Sequence, residues 1–272
     1  MIQKTLSLPR QLEDFRHILE QSAVEYMKVH AWDEAPSIAN SKLGGRPYLP
    51  KGTNPPIDDL GEYMILLAQI NFSERSFPAP FPKFGLLQIF MSAFNYQQIL
   101  GINNCVPPNF FQVRYYPIIT TNNLVTDFSY LRNSSFQHYS VASQYPISRE
   151  LLLTFSKEVE PISATDYRLH HFISAELAEQ FTLIEQQPFN EVYLQHFSSA
   201  DHKIGGYPYF IEEDARAWNP SFQKYDTLLL QIVSDDAQGI MWGDSGVAKF
   251  FINHKCLETC NFSDILFYLE YY

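Results

Sequence analysis

The sequence predicts a β-rich α+β fold: a single domain built from two duplicated pseudo-symmetric halves, with an N-terminal amphipathic helix. Short apolar runs rich in β-branched and aromatic residues recur from residue 64 to the C-terminus. Apolar residues at three- and four-residue steps open the chain. The segment KLGGRPY (42–48) returns as KIGGYPY (203–209).

The first element is a helix over residues 1–31. Leu12, Phe15, Leu19, Ala23, Tyr26 and Met27 recur at helical spacing, with Glu13, Asp14, Arg16, Glu20 and Lys28 among them. Pro9 stands near its start, where proline is tolerated. After Pro36 the pattern changes to runs of four to ten residues bounded by Gly, Pro and Asn. The spans Met64–Phe72, Leu86–Met91, Phe110–Ile119, Leu151–Val159, Thr227–Val233, Val247–Ile252 and Ile265–Tyr271 are therefore read as strands. A second helix is expected at Ser174–Gln186, with Ser174 as N-cap and Glu176 in its first turn. The chain divides into an N-terminal helix (1–40), a first half (41–119), a connecting insert (120–201) and a second half (202–272).

The repeat carries this division. Lys42/Lys203, Gly44/Gly205, Gly45/Gly206, Pro47/Pro208 and Tyr48/Tyr209 are identical pairs, each 161 residues apart. Downstream, LLAQI (66–70) meets LLLQI (228–232), and GLLQIF (85–90) meets GVAKFF (246–251), in the same order. Collinear blocks argue against coincidence, and so long a period argues for two halves and against a solenoid. Six of the 11 glycines fall at equivalent places. Paired glycines before x-Pro suit a tight reversal, because glycine accepts positive φ and the residue before proline is pushed extended.

Composition narrows the function classes. With 46% hydrophobic residues over 272 positions the chain carries enough apolar area to fold. No apolar run approaches the ~18 residues of a membrane helix. Three cysteines and an N-terminus without an apolar leader point to a reducing cytoplasm. Nineteen Lys and Arg against 30 Asp and Glu give a net charge of −11, which disfavours nucleic acid and anionic membrane; it reads first as ordinary solubility, with capture of a basic protein partner as the sharper alternative.

The blocks SKLGGRPYLP (41–50), LLAQINF (66–72), GLLQIF (85–90), HKIGGYPYFIEEDAR (202–216), LLLQIVSDD (228–236) and MWGDSGVAKFFI (241–252) resemble the YwqG-like family of bacterial proteins of unknown function. The resemblance spans roughly residues 40–272. It implies a duplicated β-rich α+β fold in a bacterial cytosolic protein, and it brings no activity, cofactor or catalytic residue. Glu212 departs from the glutamine more usual at that place.

Several motifs invite chemistry. Gly243-Asp-Ser-Gly246 spells a serine-protease nucleophile signature, but no histidine block accompanies it and Gly246 matches Gly85, so a turn before a strand is expected. His254, Cys256 and Cys260 lack a second ligand pair, adjacent His170 and His171 point apart, and the run Glu212-Glu213-Asp214 reads as a solvated turn, so no metal is assigned. No phosphate-binding loop motif is present, although Lys42 and Lys203 beside the paired glycines could meet an anion. Gln69, Gln88 and Gln231 stand on apolar strands, where a buried amide must find partners. The expected site is a cleft between the halves lined by Lys42, Gln69, Lys203, Gln231, Trp242 and Asp244, with Gln69 and Gln231 facing each other. No catalytic, cofactor or metal residue is assigned. A non-catalytic cytoplasmic binding protein, immunity-like or inhibitory, is the expected function; an enzyme or small-ligand protein using the cleft is the alternative.

Overall fold

The computed structural model describes residues 6–93, 105–133 and 145–272. Eleven strands form a single sheet: β1 (Val24–Trp32), β2 (Lys42–Leu43), β3 (Ile65–Asn71), β4 (Leu86–Met91), β5 (Cys105–Val106), β6 (Phe111–Tyr116), β7 (Leu151–Glu160), β8 (Lys203–Gly205), β9 (Thr227–Val233), β10 (Val247–Ile252) and β11 (Ile265–Glu270). Their order is β5-β11-β10-β9-β8-β1-β7-β2-β3-β4-β6, and each neighbouring pair is antiparallel. The fold is α+β and β-rich, as expected. Every strand run read from the sequence becomes a strand, with ends moved by no more than three residues.

The N-terminal element departs from expectation. A 3-10 turn over Arg10–Phe15 runs into helix α1 (Arg16–Ser22), and there the helix ends; Val24–Trp32 is strand β1. Helical spacing holds through Leu12, Phe15 and Leu19, which pack with Phe181, Phe189 and Tyr193. Beyond Ser22 the backbone finds partners on both sides, β7 along its whole length and β8 at Tyr26–Lys28. Two ladders outweigh the local period, and Val24, Tyr26, Val29 and Trp32 are residues that suit a pleated sheet. Met27 and Val29 then face the sheet interior with Ile204 and Phe155.

Segment 120–201 is more than a connector. It holds a short helix α2 (Ser129–Asn133) and helices α3 (Ala175–Glu185) and α4 (Phe189–His196), which pack on α1, and it supplies β7 at the centre of the sheet. The second expected helix is α3, and its N-cap Ser174 accepts a hydrogen bond from Leu177 N–H. Two short helices, α5 (Ala215–Trp218) and α6 (His254–Glu258), complete the fold.

The sheet curls into a half-barrel around one apolar core, to which Leu43, Ala68, Ile89, Leu230 and Phe250 each contribute from a different strand. Strands β5 and β6 lie at opposite ends of the sheet yet are separated in the chain only by Pro107–Phe110. The Phe111 ring of β6 lies 6.0 Å from Phe250 and 5.6 Å from Phe267, joining one end of the sheet to strands near the other. The outer face carries two rows of buried polar side chains. Gln88, Gln69 and Lys42 stand side by side on β4, β3 and β2, and Lys249, Gln231 and Lys203 stand side by side on β10, β9 and β8.

The closing role of Phe111 has a measurable consequence. Phe111→Ala lowers unfolding free energy in urea by about 3 kcal/mol, while Phe84→Ala, at 69% exposure, costs less than about 0.5 kcal/mol.

Candidate functional site

The two polar rows hold down the two double-glycine turns. Gly44, Gly45, Gly205 and Gly206 all have φ between 63° and 74°, the left-handed region that side chains disfavour. The second glycine of each pair also clears space for a carboxylate: a Cβ at Gly45 would overlap the Glu150 carboxyl, and one at Gly206 would overlap that of Glu160. Gly44 N–H still donates to Leu67 O and Gly205 still pairs with Tyr26, but beyond them the turn backbones leave the ladder and side chains satisfy them. Tyr48 N–H donates to Gln69 Oε1 and Tyr209 N–H to Gln231 Oε1, both at 2.9 Å. Gln69 Nε2 donates to the carbonyls of Ile38 and Asn40, and Gln231 Nε2 to those of Ser199 and Asp201. Gln88 Nε2 donates to Tyr48 O at 2.8 Å, where the second row uses Lys249 Nζ on Tyr209 O at 3.1 Å with Glu270 as its counter-ion. Burial pushes the Lys249 ammonium down to about 8 against the opposing pull of Glu270.

Each buried lysine needs a carboxylate, since an unpaired ammonium in the interior is prohibitively costly. Glu270 on β11 serves Lys249, and strand β7 and the residue before it supply the partners of Lys203 and Lys42. Lys203 Nζ donates to Glu160 Oε1 at 2.9 Å, to Oε2 at 2.6 Å and to Tyr207 O at 3.3 Å, and Tyr207 N–H donates to Glu160 at 2.7 Å. The Tyr26 ring lies 4.5 Å from that ammonium, Tyr207 O–H reaches Ser22 O, and Lys203 is fully buried. Burial lowers the Lys203 pKa, opposed by Glu160. Lys42 Nζ donates to Glu150 Oε1 at 3.1 Å and to Arg46 O at 3.0 Å, and Arg46 N–H meets the same Oε1 at 3.3 Å. Burial lowers the Lys42 pKa too, opposed by Glu150.

The two lysine turns differ in what covers them. A cleft of about 590 Å³ opens over the first, with Lys42 as its floor at 1% exposure. Arg46, Lys51 and Glu150 are the charged groups within reach of solvent there. Its far wall is the segment 121–126 with Phe128 beyond, tied to the turn by Lys51 N–H to Asn123 O, Val125 N–H to Leu49 O and Thr120 N–H to Tyr48 Oη. A second recess of about 480 Å³ adjoins it, sharing Arg46, Thr126 and Phe128. Neither the Arg46 guanidinium nor the Lys51 ammonium has an ion-pair or hydrogen-bond partner among the described residues. At the other turn, Tyr207 stands in place of Arg46 and is buried.

Of the six residues expected to share one cleft, four are brought together in two pairs. Lys42 lies beside Gln69 and Lys203 beside Gln231, but β1 and β7 separate β2 from β8, roughly 14 Å across the sheet. The two lysines are also offset along it, Lys42 opposite Leu152 and Lys203 in line with Ser156. Gln69 and Gln231 therefore bind their own turns and do not face each other. Trp242 is fully buried in the core, with its ring 6.2 Å from Phe267, and Asp244 is exposed in the turn before β10. Ser245 of the Gly-Asp-Ser-Gly motif sits in that turn at φ 55°.

Among the described residues, no three His, Cys, Asp or Glu side chains gather as metal ligands, and no helix is long and apolar enough to cross a membrane. Glu212 and Glu213 are solvated, but Asp214 is buried, binding Arg216. Arg216 also reaches Asp166 at 3.1 Å and lies over the Phe251 ring. Burial pushes the Asp166 carboxyl up, but Arg168 and Arg216 outweigh it and hold it below the usual carboxylate range. Sequence reasoning missed Glu150, Arg46 and Lys51. One signal was available, because KLGGRPY and KIGGYPY differ between glycine and proline, where Arg46 replaces Tyr207.

Fold and site together define a curled antiparallel sheet protein with a lysine-floored cleft over one of two matching turns. The family described as Domain of unknown function (DUF1963) matches residues 41–270, from the residue before β2 to the end of β11, and the chain belongs to that family. No curated protein matches it.

The unequal sealing of the two lysines is measurable. Lys203→Met costs about 3–5 kcal/mol in urea unfolding because Glu160 is left buried, and adding Glu160→Gln recovers part of the loss. Lys42→Met costs about 1–2 kcal/mol, since the side chain of Glu150 is 26% exposed and can turn to water. His202 gives a pH signature. Its Nδ1 accepts from Val233 N–H, and burial lowers its pKa from 6.5, so the fold keeps it neutral while the unfolded chain takes up a proton. Stability therefore falls as pH drops from 7 to 5, by up to about 1.4 kcal/mol per unit below the unfolded value, and His202→Asn flattens that slope.

Proposed function

We propose that the chain is a cytoplasmic binding protein that holds a small anion in the cleft between its first double-glycine turn and segment 121–128. The observation that carries the reading is the contrast between the turns. Both bury a lysine on a carboxylate, yet only the first leaves two further cations, Arg46 and Lys51, unpaired at the mouth of a cleft. In a protein of net charge −11, two uncompensated cations beside a 590 Å³ recess are a local reversal of sign, and they attract an anion. That volume lies in the ordinary range for small-molecule sites. Two readings accompany this one: the matching turns and strand rows reflect an internal duplication, and the protein is YwqG-like. The net charge also supports a second reading, a basic protein partner on the acidic surface.

Inorganic phosphate raises the melting temperature of the wild-type protein, and Arg46→Ala/Lys51→Ala weakens its binding about tenfold or more without lowering the unliganded melting temperature. Added salt weakens binding further. Equal responses of the two proteins overturn the proposal.

A further inference from the structure

We infer that the ligand of this cleft is the phosphate monoester of a hydroxylated small molecule; the inference rests on the anion-binding reading above and specifies its chemistry. Charge comes first. Lys42 is matched by Glu150, which leaves Arg46 and Lys51 as two positive charges without an ion-pair partner among the described residues, with the Asp127 carboxylate in the adjoining recess. A phosphate monoester carries about −1.5 to −2 at neutral pH, and it balances them. A monocarboxylate or sulfate monoester leaves one cation unmatched.

Size comes next. Inorganic phosphate fills a small part of 590 Å³, and the neighbouring 480 Å³ recess continues past Arg46 along Phe128. The anion therefore brings a body with it. Polarity then describes that body. Glu150 lines the cleft and uses only Oε1 for Lys42 and for Arg46 N–H, which leaves Oε2 without a partner among the described residues. A carboxylate beside an anion site repels the ligand unless the ligand donates a hydrogen bond to it. An ammonium would upset the charge balance just described; a neutral hydroxyl would not. The Asn122 side chain and the Thr121 and Thr126 hydroxyls add neutral donors and acceptors on the facing wall, the kind of surface that hydroxyl groups satisfy.

Calorimetric titration of the full chain with ribose 5-phosphate, inorganic phosphate and malate tests this. Ribose 5-phosphate binds about tenfold or more tightly than inorganic phosphate, and more tightly than malate. Glu150→Gln narrows the preference over inorganic phosphate to about threefold or less, while inorganic phosphate binding holds or strengthens as the repulsive charge goes. Should Glu150→Gln fail to fold, Asn122→Ala, an exposed wall residue, serves in its place and also narrows the preference. Equal binding of ribose 5-phosphate and inorganic phosphate, or tighter binding of malate, overturns the ligand class and leaves the anion site standing. No binding of any of the three overturns the anion site itself.

Discussion

The burial of Lys42 and Lys203 on the outer face of the sheet constrains everything around them. An ammonium removed from water demands a carboxylate, and the carboxylate must sit against the backbone of a tight turn. Strand β7 meets both demands: Glu160 is its last residue and Glu150 immediately precedes its first. One central strand thereby fastens Lys203 on one side and Lys42 on the other, even though β8 pairs with β1 and only β2 pairs with β7. The double glycines follow from the same requirement. A side chain at Gly45 or Gly206 would occupy the volume where the carboxyl lies, in addition to resisting the positive φ.

From this shared foundation the two turns diverge. At the second turn the residue between glycine and proline is Tyr207, whose ring packs inward and whose hydroxyl reaches the end of α1. Glu160 spends both oxygens, on Lys203, Tyr207 N–H and Ser199 Oγ, and the ammonium is sealed. At the first turn Arg46 points outward, Glu150 keeps one oxygen free, and segment 121–126 stands off far enough to leave a cleft. Two turns of matching sequence are thus built on the same contacts, and the opening over the first is where charge is left unbalanced.

Much of the sheet was legible because its strands are short, apolar and bounded by turn residues; β4, β9 and β10 begin and end where the pattern says. The region after Ser22 was not, because Ala23, Tyr26 and Met27 keep a helical period while β1 buries Tyr26 and Met27 on opposite faces, and the decision came from β7 and β8, distant in sequence. The site was half legible. Lys42 and Gln69 stood out by repetition, and their lack of free polar groups became visible only once each was seen bonded to its turn. Asp214 reads as one of three acidic residues in a loop; Arg216, two residues on, also pairs with Asp166, far away in the chain, and that contact belongs to the tertiary structure.

The amino-acid sequence by itself determined seven of the strand segments, the two glycine turns with their lysines and glutamines, and the Arg-for-Tyr difference between them, since these depend on local pattern and composition. Tertiary structure alone decided that Glu150 and Glu160 flank one strand, that β1 and β7 hold the lysines apart, and that segment 121–128 walls a cleft over one turn. The physical reason is range. A turn is set by neighbouring residues, but the partner of a buried charge is set by whichever strand the sheet places beside it.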